Sequence, residues 1–124
     1  MINFPPGVKI TIQGGSSCVS GGFCAYHSTI ATSPNSYYGV LPDQSPGSGC
    51  DLGCGHAAAM FDNYSSVASH ELIEAVTDPG VGLATSFGPP LAWYDPQSGD
   101  GEIGDICNAS QATFTSGGDR KSVV

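Results

Sequence analysis

The stretch that decides the fold reads Ser69-His70-Glu71-Leu72-Ile73-Glu74-Ala75-Val76-Thr77-Asp78-Pro79. It predicts a helix from about Ser65 to Thr77. Ser65 or Ser66 can begin the helix, because a serine side chain accepts a hydrogen bond from an unpaired backbone N–H of the first turn. The helix must end before Pro79, since proline pushes the residue before it out of the helical region.

The predicted helix is amphipathic when its residues are placed at 100° intervals. One side carries Ser69, Leu72, Ile73 and Val76, and the other carries His70, Glu71 and Glu74. We therefore expect the apolar side to face the core and the His/Glu side to point away from it.

The His/Glu side has the spacing of a metal site. His70 and Glu74 are four residues apart, which makes them neighbours on one helix face with a rise of about 6 Å. Glu71 lies about 100° round the helix from His70. Zinc hydrolases with the pattern H-E-x-x-H use two ligands at this spacing and the glutamate between them as general base. Here the pattern is H-E-x-x-E, and a carboxylate is also an accepted zinc ligand.

A catalytic zinc needs a third protein ligand and an open position for water. The downstream candidates are Asp78, Asp95, Glu102 and Asp105. The segment Glu102-Ile103-Gly104-Asp105 is favoured, because one acid could bind the metal while the other orients His70. The sequence does not choose between Glu102 and Asp105. The alternative is an ordinary polar helix face on which His and Glu hydrogen-bond to each other.

The charge distribution narrows the classes of function. The chain has 124 residues, 11 acidic and 3 basic, and a formal net charge of -8. So few cations exclude a phosphate-backbone binder, and no apolar run is long enough to predict a membrane span. Eight of the acids lie between Asp62 and Asp105, where there is no Lys or Arg. Either this is a solvated acidic face or a bound cation supplies the missing charge.

Four cysteines form two close pairs in the sequence, Cys18 with Cys24 and Cys50 with Cys54, and Cys107 is left over. With few lysines and two N-x-S sequons, they favour short-loop disulfides in an oxidising, extracellular setting. The competing interpretation is a zinc knuckle that includes His56. It is weaker, because the local cluster has three ligands where structural zinc needs four.

The rest of the chain predicts a small α+β domain. Strands are expected at 8–12, 23–30 and 37–41, which gives a small, mostly antiparallel sheet packed on the motif helix, with many loops. Residues 1–108 form one domain in this interpretation, and residues 109–124 form an irregular tail. His27 and His56 are interpreted as structural or surface residues.

Several segments resemble one family. S-H-E-L-I-E-A-V-T-D-P at 69–79, W-Y-D at 93–95 and G-E-I-G-D-I-C at 101–107 resemble secreted microbial proteins related to the EXORDIUM-like, phosphate-induced extracellular family. F-C-A-Y-H-S at 23–28 and F-D-N-Y-S-S at 61–66 look like its upstream pattern, so the resemblance spans roughly residues 15–108. Members are longer at both ends, so the resemblance leaves two expectations open, a whole domain or a truncated one that lacks core strands.

The resemblance implies an extracellular protein with a metallopeptidase-like helix. By match, His70 and Glu74 with Glu102 or Asp105 would bind metal, and Glu71 would be the base. The expected function is a secreted zinc-dependent hydrolase of zincin-like fold, acting on a peptide or protein. The alternative is a non-catalytic extracellular or cell-wall module with a structural zinc or calcium ion. For calcium, which prefers oxygen ligands, the candidates are Asp78, Asp95, Asp100, Glu102 and Asp105.

Overall fold

A computed structural model describes residues 1–55, 57–81, 83, 92–97, 101–108, 110, 112–117 and 119–123. They form a small mixed α+β protein, which confirms the predicted class. The strands are β1 (Ile2–Asn3), β2 (Thr11–Ile12), β3 (Gly15–Ser16), β4 (Tyr26–Ile30), β5 (Ser36–Leu41), β6 (Ala112–Ser116) and β7 (Asp119–Val123). The helices are a 3-10 turn at Cys50–Leu52, α1 (Met60–Thr77) and α2 (Ile103–Ile106).

The main sheet has three strands in the order β1-β5-β4. β4 is antiparallel to β5, with Tyr26 opposite Val40, whereas β1 is parallel to β5. β4 begins three residues later than predicted, because the backbone of Phe23 hydrogen-bonds to Ser16 and Cys18 instead of to β5. Both β4 and β5 contact α1, so the sheet supports the helix that carries the sequence motif.

The first predicted strand, 8–12, forms only over its last two residues. Thr11 and Ile12 pair with Ser16 and Gly15 in a short antiparallel ribbon. The two-residue turn has φ of 48° at Gln13 and 85° at Gly14, and positive φ at both positions is what a tight hairpin turn of this kind requires.

Helix α1 begins at Met60, five residues before the predicted start, and ends at Thr77 as predicted. The predicted N-caps Ser65 and Ser66 are wrong, because both lie inside the helix. The true start is fixed by Asn63, whose side chain hydrogen-bonds to both the N–H and the C=O of Ala57 at 2.9 and 3.0 Å. These bonds tie the preceding loop to the first turn.

The orientation of α1 is opposite to the prediction. Leu72, Ile73 and Val76 are 55%, 42% and 68% exposed, so the apolar side does not face the core. The residues that α1 buries are Asp62, Asn63, Ser66, Glu71 and Glu74. Buried polar groups are tolerated only with partners, and the two glutamates have them in the histidines described below.

The structure confirms that the four predicted cysteines form disulfides, but these disulfides do not close the short loops that were predicted. Cys18 is bonded to Cys50 and Cys24 to Cys54, with sequence separations of 32 and 30. Both bonds tie the segment before β4 to the 3-10 turn and the residues just after it. The zinc-knuckle alternative is wrong, because Cys50 and Cys54 are already oxidised, and its third member, His56, lies outside the described residues. Cys107 is free and exposed.

Part of the predicted irregular tail is ordered. β6 and β7 form an antiparallel hairpin in which Ala112 lies opposite Val123 and Ser116 opposite Asp119. The prediction missed the β-branched and aromatic run Ala112–Ser116 followed by Gly-Gly, which is a hairpin signal. β7 contacts α1. In the described part of the chain, no helix has the length and apolar content needed to cross a bilayer.

Candidate metal centre

Three elements bring six polar side chains to one place. α1 contributes His70, Glu71 and Glu74, β4 contributes His27, and the segment that forms α2 contributes Glu102 and Asp105. Each of the two histidines forms ion pairs with acids of this set.

The first cluster, the His70 group, consists of His70, Glu74 and Asp105. His70 Nε2 lies 3.1 Å from Glu74 Oε1 and 3.3 Å from Asp105 Oδ1. The backbone N–H of Asp105 also donates to Glu74 Oε1 at 3.1 Å, so the start of α2 orients the helix carboxylate. Ligand atoms on a tetrahedral zinc at 2.0–2.2 Å are about 3.3–3.6 Å apart. The two distances from His70 are therefore close to those of a zinc site, and all three ligand atoms lie within 4.8 Å of one another.

The second cluster, the His27 group, consists of His27, Glu71 and Glu74. His27 Nδ1 lies 3.3 Å from Glu71 Oε2 and 3.4 Å from Glu74 Oε2. On the other side of the ring, Nε2 lies 3.3 Å from Glu102 Oε1, but the two atoms do not have the geometry of a hydrogen bond. Each of the two groups has its ligand atoms within 4.8 Å of one another.

His27 is a functional candidate that was not predicted from the sequence, where it is interpreted as a structural or surface residue. The available signal was strand alternation, which places His27 on the same side of β4 as Thr29. Thr29 is buried and donates to the C=O of Pro79, just beyond the end of α1. Because Thr29 holds this face of β4 against the end of α1, His27 on the same face lies beside the glutamates of α1.

The structure distinguishes between Glu102 and Asp105, which sequence spacing leaves equivalent. Asp105 contacts His70, whereas Glu102 contacts His27. Asp78 and Asp95 belong to neither group. Asp78 Oδ1 accepts from the N–H of Ala92, and Asp95 Oδ1 accepts from the N–H of Gln97, in contacts that fix local loops. Asp100 lies outside the described residues.

Gly104 allows α2 to approach α1 this closely. A Cβ at this position would lie 2.6 Å from Glu74 Oε1 and 2.9 Å from two ring carbons of His70. Real Cβ atoms are essentially never found so near. The glycine in Glu-Ile-Gly-Asp is therefore a steric condition for Asp105 to reach His70.

The electrostatics of the centre favour charge on both histidines. Burial alone would lower the pKa of His27, but Glu102, Glu71 and Glu74 outweigh it and raise the pKa to about 11. Burial is likewise outweighed at His70, where Asp105 and Glu74 raise the pKa to about 10.

The two glutamates of α1 respond differently to the histidines. Burial would raise the pKa of Glu74, but contacts with both imidazoles lower it to about 2. Glu71 contacts one imidazole, and burial keeps its pKa above the usual value. The centre thus holds one firmly ionised carboxylate beside one that binds a proton more readily.

The centre opens into a cavity of about 480 Å³. Its lining includes both histidines, the four acids, the Cys24–Cys54 disulfide and the aromatic residues Phe23 and Tyr26. The two aromatic rings pack edge to face with centroids 5.6 Å apart. A ligand could therefore reach the polar centre along a partly apolar wall.

Comparison of the chain with protein-family models, with curated proteins and with solved structures found no match. The resemblance to the EXORDIUM-like family therefore stays a prediction.

Proposed function

We propose that the chain is a zinc-dependent hydrolase, with His70, Glu74 and Asp105 as metal ligands and Glu71 as general base. The observation that carries this proposal is the His70 group, one imidazole nitrogen and two carboxylate oxygens at the head of an accessible cavity. Three protein ligands with room for water are what distinguishes a catalytic zinc site from a closed, structural one.

The donor set favours zinc over calcium. Each cluster contains one imidazole nitrogen, which suits zinc, whereas calcium takes 6–8 oxygen ligands. The buried ring atom Nε2 of His27 and the buried Oε1 of Glu102 have no hydrogen-bond partner. Unpaired buried groups of this kind are costly, and a bound cation that reorders the cluster would account for them.

Glu71 is suited to take a proton from water. When bound, zinc supplies Lewis acidity, which polarises the scissile carbonyl and lowers the pKa of water. Burial raises the pKa of Glu71, which brings it closer to the neutral range in which a general base works best. His27, 3.3 Å from Glu71 Oε2, holds the carboxylate in place. Glu71 would accept the proton of the attacking water and pass it to the leaving amine.

The cavity and the disulfides suggest the substrate and the setting. The wall formed by Phe23 and Tyr26 gives an apolar surface beside the charged centre, which suits a peptide or protein substrate. Two disulfides are typical of proteins in oxidising compartments, so we propose an extracellular peptidase. A helix that carries base and ligands, with an acid supplied from a downstream segment, is also the arrangement of a zincin-like fold.

The test is the variant Glu71→Gln, measured for peptide hydrolysis and for zinc content. The amide keeps the shape of the side chain but cannot accept the proton, so turnover should be lost while zinc stays bound to the His70 group. Asp95→Asn is the matched control, because Asp95 belongs to neither cluster. It should keep both zinc and turnover. Full turnover in Glu71→Gln would contradict the proposed base.

A second candidate is a non-catalytic extracellular module in which zinc is structural. It is favoured by the small apolar core, whose buried hydrophobic residues among those described are Ala25, Val40, Leu41 and Cys50. A metal that contributes folding free energy would compensate for so small a core. The two candidates differ in one result. Zinc-loaded wild type that cleaves no peptide in a diverse mixture, yet loses thermal stability on chelation, fits the module.

A further inference from the structure

We infer that the His27 group is a second divalent-metal position and that Glu74 bridges it to the His70 group. The loaded centre would then hold two ions. This inference rests on the proposed function only for the first position, the His70 group. The second position, the His27 group, has its own histidine, His27, and its own glutamate, Glu71.

The two oxygens of Glu74 face different histidines. Oε1 lies 3.1 Å from His70 Nε2, and Oε2 lies 3.4 Å from His27 Nδ1. A carboxylate with one oxygen directed to each cluster has the geometry of a bridging ligand. Its side chain is 4% exposed and so has little freedom to turn away from either imidazole.

The surroundings of His27 match those of a metal-bound imidazole. The side chain is 5% exposed and presents Nδ1 to two carboxylates, while Nε2 is buried without a hydrogen-bond partner. Metal-bound histidines usually donate from the second nitrogen to a carboxylate. An ion on Nδ1 would place the proton on Nε2, which faces Glu102 Oε1 at 3.3 Å. One ion would then satisfy both unpaired atoms after a small rotation of the ring.

The charge of the centre is compatible with two ions, which would replace the protons of the two imidazoles as counter-charge. Glu71, Glu74, Glu102 and Asp105 carry four formal negative charges, and neutral imidazoles add none. One divalent ion compensates half of this charge, and two compensate all of it. These acids form ion pairs with His27 and His70.

The second position would use the same carboxylate as the base role of Glu71. Glu71 faces His27 through Oε2, and an ionised carboxylate has a second oxygen that can accept a proton. An ion on Oε2 would lower the pKa of this carboxyl, so Glu71 would be a weaker base when the second position is filled. Two neighbouring ions are also a known arrangement in hydrolytic sites.

The experiment counts the zinc ions bound per chain after zinc loading and dialysis, by elemental analysis of the folded protein. Wild type should hold two ions. His27→Ala and His70→Ala should each hold one, because each removes the imidazole of a single position. Asp95→Asn is the control and should hold two. Far-UV circular dichroism establishes that each variant is folded, and the wild-type count needs no variant at all.

Glu74→Gln tests the bridge. The amide is nearly isosteric but loses the charge shared by both positions, so zinc binding should weaken at both, on the order of 10–100-fold each. A variant that weakens one position and leaves the other unchanged would overturn the bridge.

The remaining outcomes separate the two proposals. A single ion in wild type that is lost in His70→Ala and kept in His27→Ala would overturn the second position and leave the proposed hydrolase intact. A single ion lost only in His27→Ala would overturn both the paired centre and the ligand set of the proposed function. No bound zinc would overturn both proposals.

Discussion

Replacing Gly104 by alanine should damage the proposed metal centre without changing any of the proposed ligands. The new Cβ would lie 2.6 Å from Glu74 Oε1, whereas ordinary contact begins at 3.4 Å. Either α2 or the Glu74 and His70 side chains must therefore shift, by about 0.8 Å at the closest contact. Asp105 is the next residue in that helix. Metal–ligand distances in a well-formed site hold to about 0.2 Å, so the His70 group cannot keep its geometry.

Two quantities should change in Gly104→Ala. Loss of a well-placed supporting contact lowers metal affinity on the order of 10–100-fold, and we expect a fall of this size in zinc affinity at the His70 group. Overpacking costs about 1–3 kcal/mol of unfolding free energy. For a chain of this size, that lowers the melting temperature by roughly 3–5 °C for each kcal/mol.

The assay is a zinc titration against a competing chelator, combined with thermal unfolding of the zinc-free protein. Gly53→Ala is the matched control, because a Cβ there has no atom within 4 Å and φ is negative, -139°. It should leave both quantities near wild type. Unchanged zinc affinity and melting temperature in Gly104→Ala would refute the close packing of α2 on the two ligands.

Three further results are expected. The pKa values of His27 and His70 are raised above the ordinary 6.5, so the folded, metal-free protein keeps protons that the unfolded chain releases. Its melting temperature should therefore fall as pH rises from about 6.5 towards 10. A melting temperature that does not change over this pH range would contradict the ion pairs. Replacing both Cys24 and Cys54 by serine should lower the free energy of unfolding by about 2–5 kcal/mol. The measurement is urea denaturation under non-reducing conditions. An unchanged free energy of unfolding in this double variant would contradict the disulfide. Val76→Ser should change that free energy by less than about 0.5 kcal/mol, since Val76 is exposed; a loss above about 2 kcal/mol would show that the apolar side of α1 is buried after all.

The sequence predicted the motif helix and its end, because local chemistry determines both. The i, i+4 spacing of His70 and Glu74 places both on one helix face, and Pro79 stops the helix. The start was misplaced because Asn63 bonds backward to Ala57, a contact that no capping pattern around Ser65 reveals.

The burial of α1 could not be predicted from its hydrophobic pattern. The pattern assigns Leu72 and Val76 to the core, yet the structure buries Glu71 and Glu74. What decides the orientation is the partner surface, because His27 from β4 and the N–H of Asp105 offer those carboxylates specific bonds. Departures from the usual pattern of burial are expected at functional sites.

The remaining differences are non-local in origin. Sequence spacing does not distinguish Glu102 from Asp105 as a partner of the motif helix. Their partners depend on the close approach of α2 at Gly104, which leaves Glu102 beside His27 and Asp105 beside His70. Cysteine spacing likewise identified which residues pair but not with which partner, since connectivity depends on where the chain returns.

The central claim is that His70, Glu74 and Asp105 bind one metal ion together. The most direct test is an anomalous difference map, collected at the zinc absorption edge from a crystal of the zinc-loaded protein. A peak about 2.0–2.2 Å from His70 Nε2, Glu74 Oε1 and Asp105 Oδ1 is the expected result. A map with no peak between these three atoms, from protein shown to be zinc-loaded, would contradict it.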